Sequence, residues 1–189
     1  MQWPETLGVP FLLIACALGI TTTVWTGEAA AVPMRTVHDS KNVIAITVPT
    51  TWQIQSPSGR AALKATAPSS GSGLPDTVEV VVHIVPAEVT TPLACENEAA
   101  WVTQHFAHIT PVTVAKAPVT IGGVPAYSWT YTWQASTTEH RWSQQVCIVR
   151  QHTAYVVTGT TSNTPAARAA RVPLLVQIID SLRILTPKM

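Results

Sequence analysis

The chain has 189 residues, and its 11 Lys and Arg nearly balance its 10 Asp and Glu, giving a formal net charge of +1. A nucleic-acid-binding surface would show a stripe of basic residues, and the balanced charge of this chain argues against one. Nucleic acid is therefore not an expected partner. Only 11% of the residues are charged, and the surface must therefore be solvated largely by Thr, Ser, Gln and Asn.

The N-terminal segment Leu7–Trp25 is apolar or weakly polar and carries no charged residue. Three interpretations remain open. The first is a signal peptide that is cleaved near Ala29–Ala31. The second is an uncleaved membrane helix, which needs about 20 apolar residues. The third is a lipoprotein signal. In the third case Leu13–Cys16 resembles a lipobox, and Cys16 would carry the lipid. Each version predicts that the remainder works outside the cytoplasm, anchored to the cell membrane or released from it.

The segment 1–33 is accordingly expected to be a signal or anchor with its linker, and 34–189 a single domain. Removing about 31 residues leaves a chain of ordinary domain size. Four strands are predicted first, each ended by turn residues or Pro: Met34–Asp39, Val43–Val48, Arg60–Ala67 and Asp76–Val85.

A helix is predicted over Leu93–Ile109, where apolar residues recur at a helical spacing. Glu96 and Glu98 are expected in its first turn, because the helix dipole favours carboxylates there. His105 and His108 lie three residues apart on this helix and are the candidates for a metal site. The alternative is one histidine on the apolar stripe and one in solvent.

Strands then dominate the chain, with a hairpin turn predicted at Gly122–Gly123. A C-terminal helix is predicted over Pro165–Leu182, with Asn163 or Thr164 as its cap. Pro173 predicts either a kink or a later start of this helix. The predicted strands are Val112–Ile121, Pro125–Gln134, Arg141–Arg150, Thr153–Thr160 and a short edge strand at Arg183–Leu185. Consecutive antiparallel strands with helices apart in sequence indicate an α+β fold.

The chain has three cysteines, and two remain if Cys16 is lipidated or removed. In an oxidising compartment Cys95 and Cys147 are interpreted as a disulfide. The alternative is a pair of buried thiols that act as small apolar residues.

An aromatic strand is the main candidate binding face. Tyr127, Trp129, Tyr131 and Trp133 alternate and so share one side of the strand, with Trp142 on the next strand. Aromatic residues are favoured at interfaces and in ligand grooves. Packing of the sheet against a helix is the favoured explanation, and an open face would make these residues the binding site.

No catalytic motif is present in the sequence. Neither a Gly-x-Ser-x-Gly elbow on a strand-to-helix turn nor a His-Glu-x-x-His motif occurs, and no phosphate-binding glycine motif occurs. The sequence therefore predicts a protein that is not an enzyme and that needs no cofactor.

Four local features together resemble the Mog1/PsbP-like superfamily, including its DcrB-type exported bacterial domains. They are the strand, Pro and Trp of Ile46–Trp52, the turn Gly122–Ala126, the strand Ala154–Thr158 and the helix end Ile179–Ile184. The resemblance implies an α/β/α sandwich around an antiparallel sheet. It also implies a non-enzymatic accessory or assembly factor, and many bacterial members are lipoproteins.

The sequence thus predicts an exported, membrane-tethered accessory domain that binds a partner protein. A module that binds a small ligand or carbohydrate with the aromatic strand is the alternative, and an exported enzyme of unrecognised type comes third. An open aromatic groove would favour the ligand, and a flat apolar patch the protein partner.

Overall fold

Within residues 31–41, 43–55, 59–69 and 73–185, which this computed structural model describes, the chain forms ten strands and two helices. The helices are α1 (Thr91–His105) and α2 (Pro165–Asp180). The strands are β1 (Met34–His38), β2 (Ile44–Pro49), β3 (Gln53–Gln55), β4 (Ala61–Thr66), β5 (Thr77–Ile84), β6 (Thr110–Ile121), β7 (Val124–Gln134), β8 (His140–Arg150), β9 (Thr153–Ser162) and β10 (Arg183–Ile184).

The central element is a seven-stranded antiparallel sheet with the order β3-β4-β5-β9-β8-β7-β6. A smaller sheet has the order β1-β2-β10. The predicted α+β class, with an antiparallel sheet between helices, is confirmed. The sequence did not predict β3, because this strand is only three residues long and wholly exposed. The division of the strands into two sheets was also not predicted.

Two apolar cores lie on opposite faces of the large sheet. The first core packs α2 and the small sheet against one face, through residues such as Ile46, Val80 and Ile178. The second core packs α1 against the other face, through Val102 and Trp129 among others. The sheet is thus packed under α2 and the small sheet on one side and partly covered by α1 on the other.

Helix α2 begins as the sequence predicts. Thr164 is its N-cap and accepts a hydrogen bond from the Ala167 amide at 3.2 Å, and a proline follows in the first turn. Pro173 lies inside one continuous helix, so the helix does not start late.

Helix α1 differs from its prediction at both ends. It starts at Thr91, two residues earlier than expected, and no acidic residue falls in its first turn. The proposed dipole role of Glu96 and Glu98 is therefore wrong. The helix ends at His105 rather than Ile109, because β6 already begins at Thr110.

Cys95 of α1 and Cys147 of β8 are joined by a disulfide, with their Cα atoms 5.6 Å apart. Both residues are buried in the second core. The bond therefore ties the helix to the centre of the sheet.

The N-terminal predictions fall on residues 1–30, which lie outside the described part of the chain. This holds for the signal peptide, the membrane helix and the lipidation of Cys16. Among the described residues, neither helix is long and apolar enough to cross a membrane.

Gly159 of β9 allows α2 to pack closely against the sheet in the first core. A Cβ atom there would lie 3.1 Å from Ile179 Cδ1 and 3.3 Å from Leu175 Cβ, both on α2. We expect Gly159→Val to destabilise the fold by about 1–3 kcal/mol through overpacking, measured by urea unfolding. Gly73→Val is the matched control, since nothing lies within 4 Å of a Cβ there. Equal stability of the two variants would contradict this packing.

The disulfide predicts a second stability difference. A bond between residues 52 apart in sequence is worth about 4 kcal/mol in the chain-entropy model. We expect the double variant Cys95→Ala, Cys147→Ala to unfold at lower urea and to lose amide exchange protection first in α1. Titration of the unfolded, unreduced protein should find no thiol at either position, and a free thiol at both would refute the bond.

Candidate ligand-binding groove

A groove of about 420 Å³ opens on the α1 face of the large sheet. It forms because α1 packs mainly on β7 and β8. The side chains that the neighbouring strands β9, β5 and β4 present on this face are therefore left to line the cavity. We call this cavity the groove. Its lining residues are Gln55, Arg60, Lys64, Thr66, Leu74, Pro75, Thr77, Glu79, Val81, Glu98, Trp101, Val102, Phe106, Tyr131, Trp133, Arg141, Ser143, Gln145, Thr158 and Thr160.

One side of the groove is aromatic. Trp101 of α1 contacts Phe106 edge to face, with ring centroids 6.3 Å apart, and Phe106 contacts Trp133 of β7 at 4.7 Å. The three rings form a continuous wall from the helix to the sheet. All three are half-buried, so part of each ring remains accessible.

The base of the groove is a row of hydroxyl groups that crosses five strands. The strand register aligns Thr66 with Thr77, Thr77 with Thr160, Thr160 with Ser143, and Ser143 with Tyr131. Ser143 Oγ lies 3.0 Å from Thr160 Oγ1 and accepts a hydrogen bond from Trp133 Nε1 at 3.0 Å. We call these five side chains the hydroxyl row.

Beside the hydroxyl row, the next row places Glu79, Thr158 and Gln145 next to one another. Gln145 is 5% exposed, and its Oε1 bonds to no group among the described residues. Thr66, at the end of the hydroxyl row, also has a buried Oγ1 without a hydrogen-bond partner among those residues. The hydrogen-bonding capacity of these two oxygens is therefore not used by the described protein groups and is left for a molecule in the groove.

Both arginines at the groove are paired with carboxylates. Arg60 Nη2 donates to Glu98 Oε1 at 2.8 Å, and the Arg60 guanidinium lies 4.5 Å from the Trp101 ring centre. His83 Nε2 is 3.4 Å from the same Glu98 oxygen. Lys64 and Glu79 are register partners on β4 and β5. The two arginines of the lining therefore each have a carboxylate partner, and Lys64 and Glu79 place opposite charges on neighbouring strands.

Arg141 fixes one end of the groove. It is 2% exposed and donates to the Leu74 carbonyl at 2.7 Å and to the Pro75 carbonyl at 2.8 Å. It also donates to Glu139 Oε1 at 2.9 Å, and Glu139 accepts from the Leu74 amide at 3.2 Å. The segment before β5 is thereby held against the sheet, where Leu74 remains 53% exposed at the rim.

Burial raises the pKa of Tyr131 to about 12, against a partial lowering by its hydrogen bond with Ser143. The desolvated phenol strongly prefers its neutral form. Tyr131 is therefore a neutral hydroxyl at physiological pH, and the hydroxyl row as a whole is uncharged.

The predicted binding face is divided by the structure. Tyr131 and Trp133 line the groove. Trp129 and Tyr127 lie on the same side of the sheet and, like Tyr131 and Trp133, belong to the second core around α1, but they do not line the groove. Trp142 lies in the first core, on the opposite face, because it is the register partner of Thr132 rather than of an aromatic residue. Its grouping with the other four is wrong.

The two metal candidates do not share a helical face. The His105 ring stacks on Trp101, and its Nδ1 lies 2.8 Å from the Trp101 carbonyl oxygen. His108 lies beyond the end of α1 with a positive φ of 51°. Among the described residues, no group of three or more His, Cys, Asp or Glu side chains could hold a metal ion.

Sequence reasoning did not find Arg60, Thr66, Arg141 or Gln145. Arg60 directly precedes β4 and Thr66 ends it, whereas Arg141 and Gln145 lie on β8, and the common face of the two pairs follows only from the strand order. Alternation along β8 places Arg141 and Gln145 on one face, but nothing local shows that this face remains partly open.

Tyr131 predicts a loss of stability in alkali. Its pKa is 10.0 in an unfolded chain and about 12 in the fold, so it is neutral in both states below pH 10. Above pH 10 the unfolded chain ionises first, and the fold should lose about 2 kcal/mol from this group by pH 12. Urea unfolding across pH 9–12 measures this loss, and Tyr131→Phe should lose correspondingly less. An identical loss in that variant would show that other groups are responsible.

No protein-family model and no curated protein matches this sequence. Solved structures do match the fold. LpqN of Mycobacterium tuberculosis, described as involved in cell envelope biogenesis, is 14% identical, with 81% of this chain and 91% of that chain covered and a TM-score of 0.58. The Ran-binding protein Mog1p of Saccharomyces cerevisiae is 9% identical, with 82% and 96% covered and a TM-score of 0.57.

The PsbP protein of the cyanobacterium Synechocystis is 10% identical, with 84% of this chain and 96% of that chain covered and a TM-score of 0.56. At sequence identities this low, the structural match establishes the fold and leaves the function open. The resemblance seen in the sequence is confirmed at that level, and the chain has the Mog1/PsbP-like fold.

Proposed function

We propose that this chain is a non-catalytic accessory domain that binds a small ligand in the groove. The observation that carries the proposal is the composition of that cavity. An aromatic wall faces a row of neutral hydroxyls, and two acceptors nearby, on Thr66 and Gln145, have no partner among the described residues. A partly apolar pocket with a few convergent polar groups is the usual form of a small-molecule site.

The hydrogen bonds of the groove favour binding over catalysis. A nucleophilic serine needs an adjacent base that can take its proton. Ser143 instead lies against Thr160 and Trp133, and the nearby Tyr131 hydroxyl has a raised pKa. These groups can donate and accept hydrogen bonds without chemical activation.

An oxidising location outside the cytoplasm is part of the proposal. The disulfide between Cys95 and Cys147 supports it, since such bonds persist chiefly in exported proteins. The uncharged N-terminal run supports a tether, either through a lipid on Cys16 or through a peptide anchor. The cell-envelope role named for LpqN is consistent with this location.

Capture of a protein partner is the second candidate. Mog1p has this fold and is named for binding Ran, so the scaffold can serve a protein interface. In this chain the exposed Leu74 at the rim of the groove is the side chain such a partner would cover.

A photo-cross-linking residue placed at Leu74 distinguishes these candidates. The full chain would be expressed in its native membrane, irradiated and analysed by mass spectrometry. An adduct of small-molecule mass at Leu74 is expected, and a protein cross-link there would support the second candidate. Val32, also exposed and apolar but outside the groove lining, is the matched control. Equal labelling at both positions, or none at Leu74, would contradict both candidates.

A further inference from the structure

We infer that the ligand of the groove is a neutral saccharide, a conclusion that rests on the proposed binding function. The inference follows from three features: the hydroxyl row argues against a purely apolar ligand, the paired arginines argue against an anion, and the aromatic wall fits the apolar face of a sugar. A pyranose ring combines hydroxyl groups at its edge with an apolar C–H face, and the groove presents the complement of both.

The hydroxyl row argues against a purely apolar ligand such as an acyl chain. An acyl chain would cover Thr66 and Gln145 without supplying a hydrogen bond to either unpartnered oxygen. Gln145 Oε1 can only accept, whereas the Thr66 hydroxyl can donate or accept, so the ligand should bring at least one donor. Sugar hydroxyls both donate and accept, and they can therefore bond to these atoms and to the neighbouring Thr77 and Thr158 as well.

The aromatic wall matches the other face of a sugar. Trp101, Phe106 and Trp133 form a connected surface, and the Trp133 indole is held in place by its bond to Ser143. Rings with an apolar body and a fixed orientation give contact area at little entropic cost. The C–H face of a pyranose can lie on such a ring while its hydroxyls reach the strand side chains.

The pairing of charges argues against an anionic ligand such as a phosphate ester. The carboxylate of Glu98 already accepts from Arg60, and that of Glu139 from Arg141, while Lys64 lies beside Glu79 in the register. An anion that bound either arginine would have to displace its carboxylate, and an anion beside Lys64 would meet the negative charge of Glu79 on the next strand. A neutral ligand meets no such competition.

A peptide is also a poor match. Extended peptides gain affinity by adding a strand to a free sheet edge. The groove instead lies mainly over the faces of β4, β5, β9, β8 and β7, whose main chains are hydrogen-bonded on both sides within the sheet, and the edge strand β3 contributes Gln55 to the lining. Side chains alone would have to bind the peptide backbone.

The test is a glycan array of neutral saccharides, probed with the full chain in a zwitterionic detergent that contains no sugar. Affinity for the best glycan is then measured by intrinsic tryptophan fluorescence, since Trp101 and Trp133 line the groove. We expect a neutral oligosaccharide to bind and palmitate and inorganic phosphate not to compete. If no neutral saccharide binds, or if palmitate or phosphate displaces the best glycan, the inference is overturned.

Two substitutions locate the site. Gln145→Leu and Thr66→Val each remove an unpartnered acceptor and keep the side-chain volume, so each should weaken the glycan by about tenfold. Neither should lower the melting temperature, because the deleted oxygen has no bond among the described residues. Unchanged affinity in both variants would overturn the assignment.

Gln144→Leu is the matched control. Gln144 is the neighbour of Gln145 on β8 but faces the other side of the sheet, where its Nε2 donates to Ser128 Oγ at 3.2 Å. Its replacement should lower the melting temperature and leave glycan affinity unchanged. A small-molecule adduct at Leu74 with no saccharide on the array would leave the binding function standing and refute the saccharide alone.

Discussion

The position of α1 on the large sheet is the constraint on which the groove depends. The disulfide from Cys95 to Cys147 and the packing of Val102 against the second core hold this helix over β7 and β8. A helix is about 10 Å wide and strands are spaced about 4.8 Å apart, so one helix covers roughly two strands. The same face of β9, β5 and β4 is therefore left to line a cavity.

The side chains on the two faces of the sheet differ in polarity, because α2 covers one face closely and α1 leaves part of the other uncovered. Along β9, Tyr155 and Val157 point into the first core, whereas Thr158 and Thr160 line the groove. Gly159 allows α2 to approach closely on the sealed side. Alternation with a period of two thus places apolar residues under α2 and hydroxyls where the sheet is uncovered.

Much of this fold could be predicted from the sequence. The β-branched run in β2, the Gly122–Gly123 turn and the cap at Thr164 are local signals, and the structure confirms the strand, the turn and the cap at these positions. Both of those glycines have positive φ, as a tight hairpin between β6 and β7 requires. Local chemistry decides such features without knowledge of distant contacts.

The groove could not be predicted in the same way. Thr66 and Tyr131 share the hydroxyl row only because β4, β5, β9, β8 and β7 are neighbours in that order, which places distant segments side by side. Trp142 shows that residues close in sequence can also lie on opposite faces of the sheet. It is close in sequence to the aromatic strand, yet its strand position turns it to the opposite core.

The polar atoms of the groove that lack a protein partner support its interpretation as a binding site. Thr66 Oγ1 and Gln145 Oε1 have no partner among the described residues and depend on a molecule in the groove for their hydrogen bonds, which makes them less favourable local choices than apolar side chains of similar size. Proteins retain such unfavourable local choices mainly where function requires them. In the first core, by contrast, Val78 and Val80 of β5 are fully buried apolar residues. Thr66 and Gln145 both lie on the face with the cavity, where a bound molecule could supply the missing hydrogen bonds.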